Sequence, residues 1–160
     1  MSMSMTDVEL EIQTITISRE VMIAAPIEIA FEAMLEEIGP SGEMPGGKPF
    51  PMVIEQWPGG RWYRDLGDNA GHLWGHVQVI KPPTLLELTG PMFMSFPAIN
   101  HVQYRLIAEG DVTRLNFTHQ AMGPIPEHIR ENVGHGWDYG LKRVDEIASR
   151  LLADRRNGAK

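Results

Sequence analysis

Six strand-like segments follow one another in the middle of the chain, and no helical segment separates them. Each is short, rich in β-branched and aromatic residues, and bounded by turns that contain glycine, proline or aspartate. A succession of this kind predicts an antiparallel meander. The predicted strands cover residues 52–57, 59–66, 72–80, 84–90, 101–109 and 112–121.

The flanking segments complete an α+β pattern. Residues 11–24 alternate and are rich in Ile, Val and Thr, which predicts one more strand. Residues 27–38 follow Pro26 and form a short amphipathic helix, whose glutamates lie opposite its apolar residues. From residue 127 onwards apolar residues recur at helical spacing, so one long helix should face the sheet. This order predicts an α+β domain in which a strongly curved sheet of about seven strands grips the C-terminal helix.

Composition sets limits on the class of protein. With 160 residues and 42% hydrophobic content, the chain can bury the core of one domain. We predict a single domain at residues 11–155 between flexible tails at 1–10 and 156–160. The absence of cysteine excludes disulfides, thiolate metal sites and a cysteine nucleophile, and we expect a cytoplasmic protein. The net charge of −7 argues against nucleic-acid binding. The chain contains no apolar run of about 18 residues, the length that would predict a membrane span.

The stretch GHGWDYG, residues 134–140, places three glycines inside the predicted long helix. Each glycine in a helix interior costs roughly 1 kcal/mol relative to alanine. Two explanations stay open. The glycines let the helix lie close to the sheet while Trp137 fills the core, or the missing side chains make room for a ligand that packs against Trp137. A second irregular stretch, residues 39–51, carries four glycines and four prolines and is predicted to be a mobile cover.

Four segments resemble, in order and spacing, bacterial relatives of the activator of the ninety-kilodalton heat-shock protein ATPase. They are WPGGRWYRD, GHVQVIKPPTLLELTG, TRLNFTHQAMG and HGWDYGLKRVDEI, and the likeness extends over residues 16–152. That family belongs to the SRPBCC, START-like or Bet v 1-like helix-grip superfamily. The resemblance implies an apolar cavity between sheet and helix, with no fixed chemistry. The tryptophan-rich segment usual after the family's first helix is replaced here by EEIGPSGEMPGGKPFP.

Strand alternation gives the candidate pocket. It assigns one face of each of the last two strands to the long helix, with the residues Val102, Tyr104, Leu106, Leu115, Phe117 and His119. In residues 72–80 two alternations compete, and the family pattern favours Trp74 and His76 as inward residues. The predicted ligand pocket comprises Trp62, Trp74, His76, Tyr104, Phe117, His119, Gly136, Trp137, Gly140 and Leu141. We predict no metal, no cofactor and no assigned catalytic residue.

Three functions follow from these residues. The first is binding of a small hydrophobic or aromatic molecule in the cavity. The second is a cyclase-like or hydrolytic enzyme that uses His119 or His76 with Tyr104. The third is a chaperone-interaction module, which we rank last because the sequence has no second domain of the sort such co-chaperones use. Homodimerisation through an edge strand stays open.

Overall fold

The computed structural model describes residue 7 and residues 9–158. In this part of the chain it contains seven strands and two helices. In chain order they are β1 (Gln13–Ile23), α1 (Ile27–Glu37), β2 (Val53–Ile54), β3 (Arg61–Gly67), β4 (Ala70–Lys81), β5 (Leu85–Gly90), β6 (Ile99–Glu109), β7 (Val112–Gly123) and α2 (Glu127–Gly158).

The strands form one antiparallel sheet in the order β1-β7-β6-β5-β4-β3-β2. Strands β2 to β7 are neighbours in sequence and in space, which confirms the predicted meander. The first strand, β1, pairs with the last, β7, while α1 leads the chain from β1 to β2 at opposite edges of the sheet. The predicted α+β helix-grip architecture is confirmed, with both helices packed on one face of the curved sheet.

The alternation of β6 and β7 builds the core as expected. The six residues assigned to the inner face are each at most 2% exposed: Val102, Tyr104, Leu106, Leu115, Phe117 and His119. Trp137 of α2 packs on this surface, with its ring centroid 4.5 Å from that of Phe117. The long helix therefore packs on the side chains of β6 and β7.

Some predicted boundaries are wrong. The strand predicted at residues 52–57 is reduced to Val53–Ile54, because the chain turns at Trp57 and returns to β3. Helix α2 continues to Gly158, so residues 156–158 belong to it and not to the predicted C-terminal tail. Of the predicted tails, residues 1–6, 8 and 159–160 lie outside the described residues. Neither described helix combines the length and the hydropathy needed to cross a membrane.

Candidate functional site

A cavity of about 390 Å³ lies between the β3–β4 end of the sheet, the first half of α2 and the segment that joins α1 to β2. Five aromatic rings line it: Phe50, Trp62, Trp74, Phe93 and Trp137. Three of these residues, Trp62, Trp74 and Trp137, belong to the predicted pocket. Their rings come from two strands and a helix, so the fold itself assembles the apolar wall.

The position of Trp74 depends on a bulge in β4. Trp62 pairs with Gly75 and Tyr63 pairs with Leu73, which leaves Trp74 as an extra residue without a partner on β3. A bulge of this kind redirects a side chain out of simple alternation. As a result the Trp74 ring lies 5.2 Å from the Trp62 ring, between centroids, and faces the cavity.

The same bulge explains why the prediction for His76 is wrong. The expected alternation placed Trp74 and His76 on one face, but the extra residue shifts the phase. Val77 becomes the inward residue, at 1% exposure, and the His76 side chain is exposed on the other face of the sheet. His76 is therefore not part of the cavity.

The segment at residues 39–51 forms one wall of the cavity and is fastened to α2. The guanidinium of Arg143 donates a hydrogen bond of 2.8 Å to the carbonyl of Ser41, and its other terminal nitrogen lies 3.2 Å from the Glu43 carboxylate. The Phe50 amide donates to the carbonyl of Gly42 at 2.8 Å. The bond between Phe50 and Gly42 holds the segment's own conformation, and the two Arg143 contacts fasten it to α2.

The glycines of α2 have separate surroundings. A Cβ at Gly136 would meet no heavy atom within 4 Å, whereas one at Gly140 would lie 2.8 Å from Oε1 of Glu37. At Gly134 the nearest atom is the guanidinium of Arg19, at 3.1 Å. Close approach of helix to sheet therefore does not explain Gly136 or Gly140, whereas Gly134 lies against the Arg19 side chain of β1. Gly136 and Gly140 both line the cavity.

His119 lies beneath the cavity and is fully hydrogen-bonded. The Trp137 indole N–H donates to its Nδ1 at 2.9 Å, and its Nε2 lies 2.7 Å from Oδ1 of Asn100. The Asn100 amide nitrogen donates onwards to the carbonyls of Gly90 and Pro91. This chain of bonds fits the neutral tautomer with the proton on Nε2, and burial lowers the pKa of His119 to about 4.

The predicted pocket therefore divides into two layers. Trp62, Trp74, Gly136, Trp137 and Gly140 line the cavity. The other inward members lie in the core below them: Tyr104, Phe117, His119 and Leu141, each at most 2% exposed. Neither histidine named for the enzymatic alternative reaches the cavity. The His76 side chain lies on the outer face of the sheet, and both ring nitrogens of His119 are hydrogen-bonded within the core.

One residue of the site, Glu37, was not among the predicted pocket residues. We grouped it with the other glutamates of α1 on the face opposite the apolar residues, but its carboxyl lines the cavity. Helical spacing could have indicated this position, because Glu37 follows Ala33 by four residues and Met34 by three and so shares their helix face. Both Ala33 and Met34 are fully buried. Burial raises the pKa of Glu37 to about 7, partly offset by the charge of Arg143.

Within the described residues, no group of three or more His, Asp or Glu side chains is arranged to hold a metal ion. The polar groups at the cavity are few and come from α1, the 39–51 wall and the start of α2. They are Glu37, Glu43, His128 and Asn132. An apolar cavity with a small number of polar groups is the usual form of a small-molecule site.

Comparison with known proteins agrees with the fold. The family described as Activator of Hsp90 ATPase homolog 1-like protein matches residues 48–149, more than half of the chain. The chain belongs to this family. The matched range contains β3 to β7 and most of α2, so it includes both strands and the helix that supply the tryptophans of the cavity. A search of the curated proteins finds no match.

Solved structures similar to this member of the activator family share its fold at low sequence identity. A protein from Rhizobium leguminosarum is 16% identical, with a TM-score of 0.66 over 89% of this chain and 99% of its own. CalU16 from Micromonospora echinospora is 20% identical, with a TM-score of 0.60 over 92% and 90%. Protein CV1439 from Chromobacterium violaceum is 18% identical, with a TM-score of 0.63 over 83% and 96%. These likenesses establish the helix-grip fold and no activity.

Proposed function

We propose that the protein binds a small hydrophobic or aromatic molecule in the cavity between the curved sheet and α2. The observation that carries this proposal is the cavity itself, about 390 Å³ of space with five aromatic side chains in its wall. Pockets for small molecules typically measure about 300–1,000 Å³ and have mostly apolar walls. The volume and the lining both support a ligand the size of a two- or three-ring aromatic compound.

Gly136, an exposed residue at the cavity wall, is consistent with the proposal. It lines the cavity, and a side chain there would point into open space. Glycine at this position costs the helix roughly 1 kcal/mol relative to alanine, and no contact with the protein requires it. Space left for a ligand accounts for the residue.

The first test uses two substitutions at this one position. Gly136→Leu improves helix propensity and puts a bulky side chain at the cavity wall, so the variant should fold and bind poorly. Gly136→Ala is the matched control, because a single methyl group leaves most of the space free. Both would be compared with the wild-type protein against a panel of fatty acids, flavonoids, polyketide-like aromatics and sterols.

The readouts are intrinsic tryptophan fluorescence and the melting temperature. At a ligand concentration of about 100 times Kd, binding to the folded state alone should raise the melting temperature of a chain of this size by roughly 5–10 °C. We expect this for wild type and Gly136→Ala, and a much smaller rise for Gly136→Leu. Equal responses in all three proteins would place binding elsewhere, and no response across the panel would contradict the proposal.

A further inference from the structure

Two of the three indole N–H groups that line the cavity are already used, while that of Trp74 has no partner among the described residues. The indole of Trp62 donates to the carbonyl of Ile38 at 2.8 Å, at the end of α1. The indole of Trp137 donates to Nδ1 of His119 at 2.9 Å. Both residues line the cavity, yet they offer a ligand only the faces and edges of their rings. Aromatic faces carry partial negative charge and attract cations.

Glu37 adds an acceptor without a partner. Its carboxyl lies in the cavity wall beside Gly140, and no described residue donates a hydrogen bond to it. Its oxygens are accessible from the cavity, so a ligand ammonium can donate a charge-assisted hydrogen bond to them in place of solvent. Gly140 contributes to this arrangement, because any side chain there would collide with the carboxyl.

Arg143 is the cation of α2 that faces Glu37, and it is engaged elsewhere. Its guanidinium bonds the carbonyl of Ser41 and the carboxylate of Glu43, and it is not part of the cavity lining. Its charge lowers the pKa of Glu37 less than burial raises it. An anionic ligand would therefore meet the carboxyl of Glu37 in the wall and no open guanidinium.

Three further titratable groups lie near Glu37 or line the same cavity. On β6, Tyr104 is buried, and its pKa is raised well above the ordinary value by burial and by the charge of Glu37, so the phenol stays neutral. On α1, Glu36 accepts a hydrogen bond of 2.7 Å from the Ser41 hydroxyl and does not line the cavity. On α2, His128 lines the cavity.

We infer that the cavity takes an organic cation, an aromatic or apolar molecule with a protonated amine that pairs with Glu37 while its ring system packs among the tryptophans. This inference rests on the proposed function, since it specifies the ligand class of the same site. Aromatic surfaces combined with a carboxylate are a known way to recognise ammonium groups. The class of ligand follows from the carboxyl of Glu37, which has no donor among the described residues, and from the aromatic faces beside it.

The pairing of an ammonium group with Glu37 predicts that ligand affinity depends on pH. Glu37 ionises near pH 7, so the fraction of carboxylate rises about tenfold from pH 6 to pH 8. An alkyl amine stays protonated throughout this range. Its affinity should therefore rise by about tenfold over the same interval, while the affinity of a neutral ligand of the same shape should stay nearly constant.

The test uses three probes that share one ring system: 2-naphthylmethylamine, 2-naphthylmethanol and 2-naphthylacetate. Their dissociation constants would be measured at pH 8 by calorimetry on wild type and on two variants. Glu37→Gln removes the charge and keeps the shape of the side chain. Glu36→Gln makes the same change at the neighbouring residue outside the cavity, where the amide oxygen can still accept from Ser41.

We expect wild type and Glu36→Gln to bind the amine about ten- to a hundredfold more tightly than the alcohol, and the acetate most weakly. Glu37→Gln should bind amine and alcohol equally. Equal affinity for amine and alcohol in wild type, or tightest binding of the acetate, would overturn the inference and leave the proposed function intact. If none of the three probes binds, the proposed function and the inference fall together.

Discussion

Glu37 and His119 have pKa values shifted in directions that oppose their charged forms. Burial raises the pKa of Glu37 to about 7 from an ordinary 4.5, and lowers that of His119 to about 4 from an ordinary 6.5. In each case the folded protein favours the neutral side chain. His119 gains two hydrogen bonds in that form, whereas Glu37 gains none from the described residues. Glu37 is therefore a partly buried carboxyl without a hydrogen-bond partner among the described residues.

Glu37→Gln should stabilise the protein at high pH. The stability linked to the raised pKa of Glu37 is fully present below about pH 4.5 and is lost as the pH rises through about 7. The glutamine variant lacks this loss. The difference in unfolding free energy between variant and wild type should grow by up to about 3 kcal/mol between pH 4.5 and pH 8. Urea denaturation across this range measures it, and a constant difference would show that Glu37 ionises normally.

The hydrogen bond from Trp137 to His119 can be tested at fixed pH. Trp137→Phe keeps an aromatic ring but leaves Nδ1 of His119 without its donor. Leaving a buried acceptor unsatisfied costs about 1–3 kcal/mol. Trp57→Phe is the control, because Trp57 is 57% exposed and lies outside the cavity. Urea denaturation at pH 7 should show a clear loss for Trp137→Phe and almost none for Trp57→Phe, and equal losses would contradict the network.

At the scale of elements, two glycines of α2, Gly136 and Gly140, have different surroundings. Gly136 borders open cavity, while Gly140 borders the Glu37 carboxyl of α1. Both line the cavity together with Trp137. The identity of the neighbour could not be predicted, because Glu37 and Gly140 are far apart in sequence and meet only through the packing of α1 on α2.

Alanine substitutions separate the two glycines. Gly136→Ala should stabilise the protein by about 1 kcal/mol, the usual gain in a helix interior. Gly140→Ala should gain much less or lose stability, because its Cβ would lie 2.8 Å from Oε1 of Glu37 and the carboxyl would have to move. Thermal denaturation of both variants measures the difference. An equal gain at the two positions would contradict the contact between Gly140 and Glu37.

At the scale of the whole molecule, the sequence predicts the sheet and the long helix because both have a regular period. Alternation in β6 and β7 correctly identifies the inner face. The errors occur where the period is broken. The bulge at Trp74 reverses the expected orientation of His76, and the end of α1 turns Glu37 into the cavity. The 39–51 wall has no period at all, and its conformation depends on bonds to Arg143 about a hundred residues away.

The cavity is the central claim, and the four tryptophans of the chain test it directly. Trp62, Trp74 and Trp137 line the cavity, whereas Trp57 does not and serves as an internal control. The measurement is a titration of ¹⁵N-labelled protein with 2-naphthylmethylamine, followed through the indole N–H signals. We predict saturable shifts for the three cavity tryptophans and a stationary signal for Trp57. Three stationary cavity signals, or a shift confined to Trp57, would contradict the account.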